Sequence, residues 1–281
     1  MVSVKRFVQD EPALVKATGE FVRMFAGVSD PVVAVASRAG DVNARMAWTL
    51  LGTDLYQDMG LPEMDALLSA LYEKFPDDKL WNLPVPTAAE INEVIETVLD
   101  GRHWELAEHA AGIFWSVGLF VRRHPDLAAW AHERNPEEMW RDLGEIYFMG
   151  KSKPRPKAAA AIYRLLAPAP LGLGIECRDA SRMPPLPLTM GARRFLAILG
   201  PAREEGFADL EPAEKQKMMD AFSAAVCPTN PYAVAHALRF FLEEGTEEFV
   251  CREKTRSCSE CPLYEYCDYA EQHSGGAYAK F

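Results

Sequence analysis

Four of the six cysteines, Cys251, Cys258, Cys261 and Cys267, fall in one short stretch near the end of the chain, separated by six, two and five residues. Four soft thiolates this close together can each ligate a different iron of a [4Fe-4S] cubane, and no second chain segment is needed to close the site. A four-cysteine structural zinc is the competing reading. Zinc ribbons, however, usually bring two Cys-x2-Cys knuckles, and only Cys258 and Cys261 form such a pair here. The clustering also argues against disulfides. The opening residues, Met-Val-Ser-Val-Lys-Arg-Phe-Val-Gln-Asp, carry no apolar export signal, so a reducing, cytoplasmic setting is expected, where thiols bind metal. Cys177 and Cys227 stand apart from the cluster and read as small buried hydrophobes.

The elements that must position this loop are helical. Met64, Leu67, Leu68, Leu71, Tyr72 and Phe75 recur at the spacing of one helix face. Thr87 and Glu90 make a capping-box pattern ahead of Ile91, Val94, Ile95, Val98 and Leu99. From Leu106 to Val121 apolar residues run almost all round the cylinder, which predicts a central helix packed on several sides, with Arg122 and Arg123 at its C-terminal dipole. Asn135-Pro136 and Asn230-Pro231 each pair an N-cap with proline at the first helical position. Gly150 and Gly245 are the expected stops of those two helices. Prolines and glycines between Ala167 and Leu188 leave room only for an irregular connection. No alternating apolar–polar run supports a sheet. The expected fold is therefore all-α. No stretch is long and apolar enough to span a membrane.

The 6, 2, 5 cysteine spacing at the end of a helical chain resembles the iron-sulfur loop of the endonuclease III branch of the helix-hairpin-helix DNA glycosylase superfamily. The segment Pro187-Leu188-Thr189-Met190-Gly191 to Leu199-Gly200 is similar, more weakly, to the family's Pro-Leu-Asp-Thr-His pattern opening a helix that ends in Leu-Gly. The resemblance covers about residues 151–267 and implies a two-lobed helical fold, with an N-terminal helical region at 1–150, a glycosylase-like helical region at 151–245 and the cluster loop and tail at 246–281. It implies a mainly structural [4Fe-4S] cluster held by Cys251, Cys258, Cys261 and Cys267. It also implies that the loop between the first two cysteines, with Arg252, Lys254 and Arg256, faces a nucleic-acid backbone. A solvated loop whose charges balance the neighbouring glutamates is the alternative.

The catalytic machinery departs from the pattern. The family aspartate falls on Thr189, a hydroxyl that cannot carry the negative charge needed beside an oxocarbenium ion; threonine reads instead as a helix N-cap. The glycine-rich hairpin before the lyase lysine is replaced by Phe148-Met149-Gly150-Lys151-Ser152-Lys153-Pro154-Arg155-Pro156-Lys157. Candidate substitutes are Glu176 and Asp179 as carboxylates, and Lys157 as a Schiff-base amine if burial or neighbouring cations lower its pKa. His109, His124 and His236 show no spacing of a metal site or triad.

The formal charge of -11 argues against a protein that coats nucleic acid, but it is unevenly spread. Between Lys151 and Arg194 nine basic residues face two acids, and this stripe, with Lys151, Lys153, Arg155, Lys157, Arg193 and Arg194, supplies the candidate phosphate contacts. Three functions fit: a base-excision enzyme with displaced catalytic groups that acts on nucleic acid, most simply DNA; a silent member that binds nucleic acid or protein; and an N-glycosidase of a free modified nucleotide.

Overall fold

The computed structural model describes residues 12–56, 59–150, 155–198, 211–239 and 261–266, and every regular element among them is helical. None of these helices is long and apolar enough to cross a membrane. The chain divides into two compact units, one formed by residues 29–184 and the other by 1–28 together with 185–281. The boundary expected after residue 150 does not coincide with this division.

In the 29–184 unit the helices are α2 (Pro31–Ala36), α3 (Val42–Leu55), α4 (Leu61–Lys74), α5 (Ala88–Leu99), α6 (Trp104–Arg123), α7 (Leu127–His132), α8 (Pro136–Leu143) and α9 (Pro156–Leu166). The helix at its centre is α3 rather than the expected 106–121 segment. Helices α2, α6, α7 and α9 all pack on α3, and from Met46 to Leu55 every one of its residues is buried. α6 buries Ile113, Phe114, Val117 and Phe120 but leaves Trp115 exposed, so its apolar surface is wider than its packed face. Position 52 explains how closely the helices approach α3. A Cβ at Gly52 would lie 2.8 Å from Val32 Cγ1 and 3.0 Å from Leu68 Cδ1, so the missing side chain lets α2 and α4 press against it.

The local signals are realised as hydrogen bonds. Thr87 and Glu90 exchange the two bonds of a capping box at the start of α5, and Asn135 and Glu138 do the same at the start of α8. α8 ends at Leu143, earlier than the expected stop at Gly150, because residues 144–149 form successive turns. After α9 the backbone N–H groups of Leu173, Gly174 and Ile175 donate to the carbonyls of Arg164, Ala167 and Leu165. These bonds satisfy the helix end and turn the irregular connection back along it. α9 belongs to this unit because Ala158, Ala159, Ala161, Ile162 and Leu165 all join its core.

The other unit contains α1 (Pro12–Met24), α10 (Met190–Ile198), α11 (Pro212–Val226) and α12 (Pro231–Arg239). α12 packs on α1, α10 and α11. Thr189 caps α10, its Oγ1 accepting the Ala192 N–H at 3.1 Å, as expected for that threonine. The chain leading to α10 is fastened by Asp220 on α11, whose Oδ1 accepts the Leu186 N–H at 2.9 Å. Buried His236 contacts the Val28 carbonyl through Nε2 at 3.0 Å, a structural role. α10 crosses α12 at Gly191, where a Cβ would fall 1.9 Å from the Leu238 carbonyl oxygen. Gly191→Ala is therefore expected to destabilise this unit by about 2 kcal/mol or more, since backbone must move to admit the methyl group. A thermal melt followed by circular dichroism checks this.

Candidate functional site

The turns between α8 and α9 use backbone conformations that L-residues adopt rarely. Phe148 has φ +71°, Gly150 +100° and Arg155 +46°. Arg155, the N-cap of α9, offers no side-chain cap. It is fixed instead by Trp140, whose Nε1–H donates to the Arg155 carbonyl at 3.2 Å and whose ring lies 5.8 Å beneath the guanidinium. Gly144 leaves the space the guanidinium crosses, since a Cβ there would lie 2.9 Å from Cζ. These contacts set the direction in which α9 starts and therefore where Lys157, in its first turn, points.

Lys157 Nζ donates to the backbone carbonyl of Asp54, in the last turn of α3, and lies 3.8 Å from Asp54 Oδ1. Its side chain is 22% exposed while that of Asp54 is fully buried. The ammonium also sits 5.3 Å from the centre of the Phe148 ring, within cation–π range. Phe148 in turn packs on His109 at 4.5 Å, and the Tyr147 hydroxyl meets His109 Nδ1 at 3.3 Å. The site thus combines an amine that reaches the surface, a buried acid and an aromatic wall.

Neither carboxylate oxygen of Asp54 has a hydrogen-bond partner. Burial pushes its pKa up to about 7, against the opposing pull of the Lys157 charge. The neighbouring acid–base pair is built differently. Asp30 Oδ2 accepts Arg164 Nε at 3.0 Å and lies 2.9 Å from Nη2, while Oδ1 accepts the Val32 N–H at 2.9 Å as the N-cap of α2. Arg164 Nη1 also donates to Thr53 Oγ1 at 3.3 Å. Consecutive residues Thr53 and Asp54 therefore meet two different cations of α9.

The structure joins Lys157 to a carboxylate, but not to either acid proposed from sequence. Glu176 is exposed. Asp179 is exposed too, and both its oxygens are engaged by Ser181, through the backbone N–H and the hydroxyl, each at 2.9 Å. Those bonds hold its pKa below the usual carboxylate range. Asp54 was missed, although an aspartate inside the apolar run from Met46 to Leu55 is itself a signal of a buried ionisable group.

The cationic stripe is reduced by pairing. Arg164 is buried against Asp30, and Arg178 and Arg182 lie 2.7 and 3.8 Å from Glu138 and Glu137. Arg155 packs on Trp140, while Arg193 is exposed. Lys151, Lys153, Arg252, Lys254 and Arg256 lie outside the described residues, as does the side chain of Arg194.

Of the four clustered cysteines, Cys251, Cys258 and Cys267 lie outside the described residues, as does the expected helix stop at Gly245. Cys261 opens a short turn that buries Leu263 completely, and its carbonyl accepts the Tyr264 N–H at 3.1 Å. No group of three or more metal-binding side chains occurs among the described residues. The donor set itself, four thiols in one segment, suits an iron-sulfur cluster. Cys177 and Cys227 are half-buried rather than buried, and burial pushes the Cys177 thiol up, away from reactivity. His124 packs between Phe120 and Trp130, with its pKa lowered by burial. Comparison with family models and with curated proteins finds no match.

Proposed function

We propose that this chain is an endonuclease III-like [4Fe-4S] protein that binds nucleic acid, most simply DNA, and excises a base through the amine of Lys157. The observation that carries this reading is the placement of Lys157 in the first turn of α9, part exposed and beside the buried Asp54 carboxylate. An amine held at the edge of a helical unit by a proton-accepting neighbour suits covalent attack on an electrophilic sugar carbon. Cys251, Cys258, Cys261 and Cys267 hold the cluster, whose contribution is to fold and fasten the terminal loop. Exposed Arg193, together with Lys151 and Lys153, supplies the phosphate contacts in this reading.

Borohydride trapping on a duplex containing an abasic site tests the amine. Wild-type protein is expected to form a covalent adduct, and Lys157→Ala to lose it; an adduct that survives in Lys157→Ala refutes the assignment. The cluster predicts a brown protein with about four irons per chain after anaerobic purification. A colourless, zinc-loaded protein would overturn it. Duplex affinity is expected to fall steeply with salt, with a log–log slope lowered by about 0.9 for each phosphate contact removed in Lys151→Ala, Lys153→Ala and Arg193→Ala variants. Pairing of Arg164, Arg178 and Arg182 trims the positive surface, which favours a second reading, an N-glycosidase of a free modified nucleotide. Hydrolysis of nucleotides without duplex binding would select it.

A further inference from the structure

The packed face of α6 accounts for Ile113, Phe114, Val117 and Phe120, but not for Trp115. That side chain is 66% exposed, and Tyr147, from the turns after α8, is 42% exposed. The two stand side by side. Tyr147 N–H donates to Ser116 Oγ at 2.8 Å, and a Cβ on Gly112 would lie 3.0 Å from the Tyr147 ring, so the missing side chain lets that ring rest against α6. Gly112 precedes Trp115 by three residues, which makes the two positions neighbours on the helix surface. Single exposed apolar residues are ordinary, but adjacent exposed rings with a polar rim mark an interaction face.

This face continues into the Lys157 site. Tyr147 meets Phe148 edge to face at 4.7 Å, Phe148 packs on His109 at 4.5 Å, and the Lys157 ammonium lies 5.3 Å from the centre of the Phe148 ring. At the other end stand Arg122 and Arg123, in the last turn of α6. Arg122 lies two helical turns beyond Trp115 on the same side, where its Nη1–H donates to the Trp81 carbonyl at 3.3 Å. Exposed Glu108 and Glu145 adjoin Gly112 and Tyr147 along the chain, so the charge of this surface is mixed. A nucleic acid bound here must be held by its bases as well as by its phosphates.

We propose that Trp115 and Tyr147 form a stacking platform for unpaired bases, and that the partner of this face is a single nucleic-acid strand leading to Lys157. The proposal rests on the reading of this chain as a nucleic-acid-binding protein. The form of the strand follows from the rings. In a duplex each base is covered on both faces by its neighbours, whereas the bases of a single strand can lie on an aromatic side chain whatever their identity. Tryptophan offers a broad rigid surface for this, and the contact of the Tyr147 hydroxyl with His109 Nδ1 at 3.3 Å holds the second ring in place. Charge points the same way. Pairing of Arg164, Arg178 and Arg182 with acids removes cations on which duplex binding depends, while stacking needs none of them. Arg122 and Arg123 then take the strand's phosphates at the end of the platform away from Lys157.

Fluorescence anisotropy of a fluorescein-labelled thymidine oligomer of about 12 nucleotides, titrated with the full-length protein, tests this. Wild-type protein is expected to bind the strand, Trp115→Ala to weaken binding about tenfold or more, and Trp115→Phe to keep most of it. Because Trp115 is exposed, Trp115→Ala should melt with the wild type, which separates a lost platform from a lost fold. The fold-change should be the same at low and high salt, since stacking releases no counterions; a loss that vanishes at high salt assigns the effect to charge and overturns the proposal. Equal strand binding by wild type and Trp115→Ala overturns it too. So does a dimer in sedimentation that Trp115→Ala dissociates while strand affinity stays unchanged, which would make this face a contact between copies. Borohydride trapping separates the two levels. Trp115-dependent strand binding without an abasic-site adduct leaves the platform and removes excision through Lys157; an adduct without Trp115-dependent binding does the reverse.

Discussion

Arg164→Met should destabilise the 29–184 unit by about 3–5 kcal/mol, because it strands the Asp30 carboxylate in the interior without its cation. Asp30 would keep its bond from Val32 N–H but lose the guanidinium, and Thr53 Oγ1 would lose the same donor. Pairing the change with Asp30→Asn removes the stranded charge while keeping a side-chain oxygen to cap α2. The double variant is expected to recover most of the loss, to within about 1 kcal/mol of the wild type, because replacing a buried ion pair as a unit is often close to neutral. All six tryptophans lie between residues 48 and 140, so urea unfolding followed by tryptophan fluorescence reports this unit. Equal losses in the single and double variants would show that the pair is not the source of the stability.

The second large effect is a pH dependence carried by Asp54. Its folded pKa of about 7 stands above the ordinary value of 3.8, so the folded unit binds this proton more tightly than the unfolded chain. The resulting stabilisation is complete below about pH 4 and is lost as pH rises through 7, a change on the order of 4 kcal/mol. Asp54→Asn removes the titration. The stability difference between variant and wild type should therefore move in the variant's favour from pH 4 to pH 7 and level off above it. Comparing the two proteins cancels the half-buried carboxylates Glu63 and Glu138, whose lowered pKa values act in the opposite direction. A difference that stays flat with pH would mean that Asp54 remains ionised in the folded protein.

What could be read from the sequence follows the range of the interactions involved. The capping boxes at Thr87 and Asn135, the N-cap at Thr189 and the apolar stripe of α4 are set by residues three or four apart, and each forms as its pattern predicts. The cysteine box is equally local, which is why its spacing alone carries the cluster reading. Composition and periodicity also exclude a sheet, and the described residues contain only helices.

Residues far apart in sequence decided the rest. Lys157 meets Asp54 across 103 positions, and Arg164 meets Asp30 across 134. Nothing in either local sequence distinguishes the cation that saturates its acid from the one that leaves both oxygens open. The same is true of the charge stripe, which counts nine cations along the chain but loses Arg164, Arg178 and Arg182 to acids on other elements. It also holds for the domain boundary, since α9 joins the 29–184 unit through the apolar face it buries there. Hydrogen-bond spacing and helical period act over a turn or two, so sequence specifies the helices and the thiol cluster. Desolvation and charge pairing depend on which helices pack together, so only the tertiary structure shows which lysine stands beside an open carboxylate.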